Sequence, residues 1–257
     1  AFAAGGYLGR IDLGLPYLVT GCVSVAAAGA ALLLGEPPSD RRASAWRGFR
    51  PQMAQALRVS FTVARLRWAI LYSALIFVLL RVSLWLYQPY LKGAGFDLAA
   101  IGLIFAAVYL VAALASHSID AIRRRCPGVS IYWALPLVLG VSYLLLGRFT
   151  ASWGVLLLLA QKAVDGVYSP LTKDLIQRDV PDSGARATVL SVESMVRRLA
   201  FCAFAPVCGL LVDRLSLSAA LYGCAAVAAL GAGALLGVRR SFRLEASAQP
   251  LEHARDT

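Results

Sequence analysis

QKAVDGVYSPLTKDLIQRDVPDSGARATVLSVESMVRRLAFCAFAPVCGLLVDR, residues 161–214, is the stretch on which the fold turns. Two long apolar segments flank a short charged turn containing Pro181 and Gly184. Each segment carries ionisable residues where a lipid-facing helix would carry none, and charges inside a membrane span mark a pathway or a helix contact. In the first segment Gln161, Asp165, Tyr168 and Thr172 fall at i, i+4, i+7 and i+11, one polar stripe on an otherwise apolar helix. Lys162 stands three residues before Asp165. Either it neutralises the carboxylate locally, or Asp165 is a group that exchanges a proton or cation. Gly166 and Pro170 are expected to loosen this helix. The second segment carries Glu193 with Arg197 at i+4 and Arg198 beside it. Glutamate N-terminal to arginine is the favourable order for a pair along one helix, so Glu193–Arg197 is expected to be structural.

The same alternation of apolar run and charged turn extends through the chain. Of its 257 residues, 59% are hydrophobic and 15% charged, with mean hydropathy +0.69. That is far more apolar than an ordinary soluble domain. The excess is gathered into runs of about 19 to 26 residues, the length that crosses a hydrocarbon core at 1.5 Å rise per residue. We expect an all-α, polytopic transmembrane helical bundle with seven spans, residues 13–35, 66–91, 98–116, 129–147, 153–171, 187–212 and 215–238.

A formal net charge of +11 raises the prospect of a nucleic-acid partner, and the placement of the basic residues argues against one. Seventeen fall on one side of the expected topology: Arg41, Arg42, Arg47, Arg50, Arg58, Arg65, Arg67, Arg123 to Arg125, Lys173, Arg178, Arg186, Arg239, Arg240, Arg243 and Arg255. The other side has four, Arg10, Lys92, Arg148 and Arg214. Such asymmetry is topology, and it places residues 36–65 and the C-terminus in the cytoplasm. The five cysteines lack C-x-x-C spacing and lie mostly within spans, so they read as small packing residues. No P-loop, G-x-S-x-G or H-E-x-x-H motif is present, so neither hydrolytic chemistry nor direct ATP coupling is expected, and no cofactor or metal is implied.

The chain begins AFAAGGYLGR, without an initiator Met or a charged leader, and we expect it to be a piece of a longer protein. The first span ends at Glu36, Pro37 and Pro38. A basic connection, residues 36–65, follows. In it Trp46, Phe49, Met53, Leu57 and Phe61 recur every three or four residues, as in an interfacial amphipathic helix; a solvated linker is the alternative. The next span holds Arg81 about 15 Å from its outer end. Arg81, Trp85 and Gln88 share one face at i, i+4, i+7, with Phe77 a turn below. A central arginine costs about 2.5 to 3.5 kcal/mol to insert, so it faces either a cavity or a structural partner. Asp120 with Arg123 to Arg125 reads as an inner-face clamp, with Asp120–Arg124 its expected ion pair, or as plain positive-inside anchoring. Pro136 and Gly140 are expected to kink the fourth span. The last span is rich in small residues that permit close helix packing, and residues 241–257 are expected to form a disordered tail.

These residues carry a family likeness. GGYLGRIDLGLPYLVTG, with an apolar run closing in LLLGEPP, resembles the fifth-to-sixth helix region of major facilitator superfamily transporters. The basic connection resembles that family's central loop, and the six spans after it resemble its C-terminal six-helix half. SPLTKDLIQRDVPDSGARATVLSVESMVRRLAFCAFAPVCGLLVDRLSLSAALYG is similar to the tenth-to-twelfth helix region of many bacterial members. The family's loop signature has here only a degenerate copy, Asp120 and Arg123 to Arg125, with Ser116 in place of a Gly. The resemblance implies residues 1–35 as the end of the N-terminal half, residues 66–240 as the C-terminal half, and a location in the cell (inner) membrane. It implies a secondary transporter moving a small solute by alternating access, with the missing N-terminal helices as the chain's partner. In the family the solute site lies between the halves. The corresponding residues here are Arg81, Trp85 and Gln88 on one wall and Gln161, Asp165 and Tyr168 on the other, with Asp165 as coupling candidate. Uptake and efflux both remain open. A non-transporting scaffold or sensor, in which every buried charge is structural, is the rival.

Overall fold

The computed structural model describes residues 2–12, 14–32, 54, 57–58, 60–125, 130–178 and 183–248. Among these the chain is almost entirely helical, with no strand. In chain order the helices are α1 (Phe2–Ile11), α2 (Leu15–Ala31), α3 (Ala64–Gly93), α4 (Leu98–His117), α5 (Ile119–Arg125), α6 (Ser130–Arg148), α7 (Val155–Arg178), α8 (Ser183–Arg214) and α9 (Leu217–Ala248). The expected amphipathic helix through Trp46, Phe49 and Met53 lies largely outside the described residues.

Five helices are long and apolar enough to cross a membrane: α3, α4, Ile131–Arg148 of α6, Arg186–Arg214 of α8 and Leu217–Val238 of α9. The other two expected spans are helices of a different kind. Helix α2 has 17 residues, and α7 carries Lys162, Asp165, Lys173 and Asp174 along its 24. Helix α9 continues to Ala248, so the expected tail at 241–257 begins as helix.

Helix α3 is the hub of the bundle, with 67% of its span buried against 6% for α8. It packs on α7, α8 and α9, while α4 pairs with α7, α6 with α9, and α1 lies on α4. An apolar helix gains little from burial among equally apolar lipid tails, so specific contacts must fix its neighbours. Aromatic residues of α3 supply them. The indole N–H of Trp68 donates to the Leu235 carbonyl at 3.1 Å, and its ring stacks on Tyr72 at 5.1 Å. The Tyr143 hydroxyl on α6 donates to the Leu79 carbonyl at 2.6 Å. Tyr90 donates to the Phe149 carbonyl at 2.8 Å, tying α3 to the turn after α6.

Two close approaches depend on the absence of a side chain. At Gly6, a Cβ would come within 2.8 Å of Gly102 Cα, where α1 crosses α4. A Cβ at Gly166 would overlap the Ala112 carbonyl oxygen, where α7 meets α4. The glycine expected to loosen α7 is therefore a contact point, and both α7 and α6 run unbroken through Pro170 and Pro136.

The turns follow from local chemistry. Gly95, at φ +88°, reverses the chain after α3, a conformation that costs glycine nothing. The Asp97 side chain then caps α4 by accepting from Ala100 N–H at 2.9 Å. Between α8 and α9 the Ser216 hydroxyl plays the same part, accepting from Ala219 N–H at 3.1 Å.

Candidate functional site

Helix α7 has the densest polar content of the bundle core, and its residues reach different neighbours. Gln161 is fully buried and donates through Nε2 to Ser142 Oγ on α6 at 2.7 Å. Lys162 is buried, with Nζ 2.9 Å from Asp165 Oδ2 and 4.4 Å above the Tyr109 ring of α4. Tyr168 turns toward α3: its hydroxyl lies 2.8 Å from the Ser73 hydroxyl and 3.0 Å from the Ser73 carbonyl, to which it donates. Thr172 donates to the Tyr168 carbonyl at 2.9 Å, closing on its own helix. The stripe read from residues 161, 165, 168 and 172 thus bonds to α6 through Gln161 and to α3 through Tyr168, while Asp165 stays partly exposed. Helix α7 packs on α6, α4 and α3, and the α4 contact comes from Lys162, which lies off the stripe.

Ser73 links α7 to α8. Its hydroxyl donates to Glu193, whose Oε1 also lies 3.5 Å from Arg197 Nη1. Glu193 is 6% exposed, so Ser73, Tyr168 and Arg197 define its surroundings. The expected Glu193–Arg197 pair is present, and it belongs to a chain of contacts through three helices. Sequence reasoning missed Ser73, a single hydroxyl in an apolar run; its signal was a small polar residue level with Tyr168 and Glu193 on adjacent spans.

From Arg197 a second line of contacts runs along α3 and α8. The guanidinium carbons of Arg197 and Arg81 lie 5.0 and 5.1 Å from the centroid of the same Phe77 ring. Phe77 packs edge-on against Phe201 at 6.4 Å, and Phe201 in turn lies 6.3 Å from Trp85. Arg81 is exposed and forms no ion pair among the described residues, and Arg197 Nε is buried without a hydrogen-bond partner there. Trp85 is 68% exposed.

Trp85 and Phe201 open into a cleft of about 530 Å³ between α3 and α8, lined also by Pro89, Cys202, Pro206 and, at its far end, Asp213. Of the expected wall on α3, then, Trp85 alone lines this cleft; Arg81, one turn before it, and Gln88, exposed one turn beyond, do not. Gln161, Asp165 and Tyr168 line no part of it.

At the basic end of the bundle the expected clamp uses a different pair. Arg123 on α5 contacts Asp174 on α7 at 3.0 Å, and Asp120 and Arg124 form no ion pair among the described residues. Asp120 sits in the first turn of α5, where it complements the helix dipole, and Arg124 is exposed. Among the described residues no group of three His, Cys, Asp or Glu side chains is gathered as a metal site. No family model, curated protein or solved structure matches this chain.

Proposed function

We propose that this chain is the C-terminal part of a major facilitator-type secondary transporter, multi-pass in the cell (inner) membrane, moving a small solute by alternating access. The observation that carries the reading is Arg81 together with Trp85: a cation without an acidic partner among the described residues, inside a long apolar helix, one turn from an open cleft. An arginine in that position is costly unless it serves a path or a ligand. The resemblance of the sequence supports the same reading, because it sets α3 among the helices that face the missing half. Residues 36–65 and the C-terminus are cytoplasmic in this proposal, by the asymmetry of basic residues.

The assignment of roles shifts from α7 to α8. Asp165 is closed by Lys162, whereas Glu193 sits in a hydroxyl chain and shares Arg197 with the cleft side. Glu193 is the carboxylate we assign to proton exchange, if the transporter is proton-coupled. The scaffold or sensor reading rests on one observation, the internal closure of Lys162 on Asp165. A thermal-shift screen of small solutes on the full-length protein, followed by flux of any stabilising solute in proteoliposomes, separates the two. A ligand that binds the folded state raises the melting temperature. Solute-dependent flux that Arg81→Gln abolishes supports transport; stabilisation without flux supports the sensor.

A further inference from the structure

Resting on the assignment of Glu193 to proton exchange, we propose that Ser73 and Tyr168 are its positioning residues: a relay of two hydroxyls, complete only while Glu193 carries a proton, that ties α7 and α8 to α3. Four oxygens form the line: Glu193 Oε1, Ser73 Oγ, Tyr168 Oη and the Ser73 carbonyl. They make three contacts, Ser73 Oγ to Glu193, Tyr168 Oη to Ser73 Oγ at 2.8 Å, and Tyr168 Oη to the Ser73 carbonyl at 3.0 Å. Each hydroxyl has one proton to donate; a carboxylate has none and a carboxylic acid has one. With Glu193 ionised, two protons must serve three contacts. Ser73 donates to the carboxylate and Tyr168 to the Ser73 carbonyl, so the two hydroxyl oxygens face each other at 2.8 Å with no proton between them. With Glu193 protonated, three protons fill three contacts. The carboxyl O–H donates to Ser73, Ser73 donates to Tyr168, and Tyr168 donates to the carbonyl; only the Ser73 hydroxyl has turned. The proton comes from hydronium in the adjoining water and returns to water on release, and no other bond forms or breaks.

The groups around Glu193 favour this arrangement. Glu193 is 6% exposed, and a buried charge is costly unless it is closely paired. Arg197 pulls toward the ionised form, but its Nη1 stands 3.5 Å from Oε1, beyond the roughly 2.7–2.9 Å of a charge-assisted bond. Its guanidinium also donates to Ser194 at 3.3 Å, lies over Phe77 and faces the Tyr168 hydroxyl. Arg198, beside it on α8, is exposed. On α7, Lys162 and Asp165 close on each other. On α3, the buried Tyr72 hydroxyl has no partner among the described residues and stays outside the relay, and Arg81 is exposed about two turns beyond Ser73. On α9, Gly231 lies against Leu75, and residues 225–235 hold no titratable side chain. Arg197 therefore keeps the proton exchangeable, and the two hydroxyls keep a place for it.

Infrared difference spectroscopy of the full-length protein in proteoliposomes, parent minus Glu193→Gln, reads the state of this carboxyl. At neutral pH the parent is expected to show a carboxylic-acid C=O band that moves down in heavy water. Tyr168→Phe takes away the acceptor of the Ser73 proton, which then turns to Glu193. The acid band is expected to give way to carboxylate bands, although Glu193 itself is untouched and the melting transition stays cooperative. Ser73→Ala removes the acceptor of the acid proton while Arg197 remains, and the same loss is expected; Tyr168→Phe serves if that variant fails to fold. Carboxylate bands alone in the parent overturn the proposal. So does an acid band that Tyr168→Phe leaves unchanged, since burial then holds the proton without the relay. A Tyr168-dependent acid band in a protein with no solute flux sustains the relay and refutes transport. Flux driven by a proton gradient and abolished in Glu193→Gln, beside carboxylate bands alone, sustains coupling at Glu193 and overturns the relay.

Discussion

Helix α7 and the face shared by α3 and α8 both carry charges within long helices, and they dispose of them in opposite ways. On α7, Lys162 is buried and contacts Asp165 at 2.9 Å, and Gln161 is enclosed by α6. On the other face, Arg81 is exposed over Phe77, and Arg197 divides its contacts between Glu193 and the same ring. Lys162, buried with its carboxylate 2.9 Å away and one turn along its own helix, is already compensated, whereas Glu193 divides between Arg197 and the hydroxyl of Ser73 on another helix. A charge whose nearest neighbour is an aromatic ring one turn from an open cleft still has its hydrogen-bonding capacity to spend. The difference separates structural ionisable residues from candidate functional ones more sharply than depth in the span does.

Substitutions can break this comparison at several points. The largest effect is expected at the support of α7. Gly166→Leu drives a side chain into the Ala112 carbonyl, a backbone group that cannot swing aside. A loss of about 3 kcal/mol or more is expected, visible as failure of the purified protein to give a cooperative melting transition. An unchanged transition would show that α7 and α4 can separate freely.

Asp165→Asn comes next, because it leaves Lys162 buried with only the Tyr109 ring. Breaking a fully buried pair costs about 3–5 kcal/mol; with the Asp165 side chain 37% exposed, about 2 kcal/mol is expected. The double variant Lys162→Met with Asp165→Asn should recover most of that loss in denaturant titration, and flux per folded molecule should match the parent. A double variant that folds and does not transport would return Asp165 to the coupling role.

The smallest change in stability is expected for Arg81→Gln. An exposed side chain without an ion pair contributes within about 0.5 kcal/mol. Its melting temperature should stay near the parent's while solute-dependent flux disappears, the reverse of the α7 pattern.

The helices were largely legible from the sequence, because continuous apolar runs and their charged boundaries mark span ends without reference to neighbours. The expected spans at 98–116 and 129–147 correspond to α4, Leu98–His117, and α6, Ser130–Arg148. Helix α7 runs on past the expected end at 171 to Arg178, because Lys173 and Asp174 stop an apolar run without stopping a helix; Asp174 is held by Arg123. The Lys162–Asp165 and Glu193–Arg197 pairs were legible because both partners lie on one helix. The grouping of the site was not. Periodicity shows which residues share a face of α7 and cannot show which neighbouring helix, α6, α4 or α3, each of them meets. Ser73 and Phe201 were missed for the related reason that their roles depend wholly on residues of other helices, Glu193 for the one and Trp85 for the other.

The most direct measurement is paired thiol labelling of the full-length protein with single cysteines at positions 85 and 165, using a membrane-impermeant reagent from each side in turn. The α3–α8 face is predicted to react at position 85 and to change its sidedness when a transported solute is present, while position 165 stays unreactive from both sides. A position 165 that changes sides with solute, beside a silent position 85, would contradict this account and return the pathway to α7.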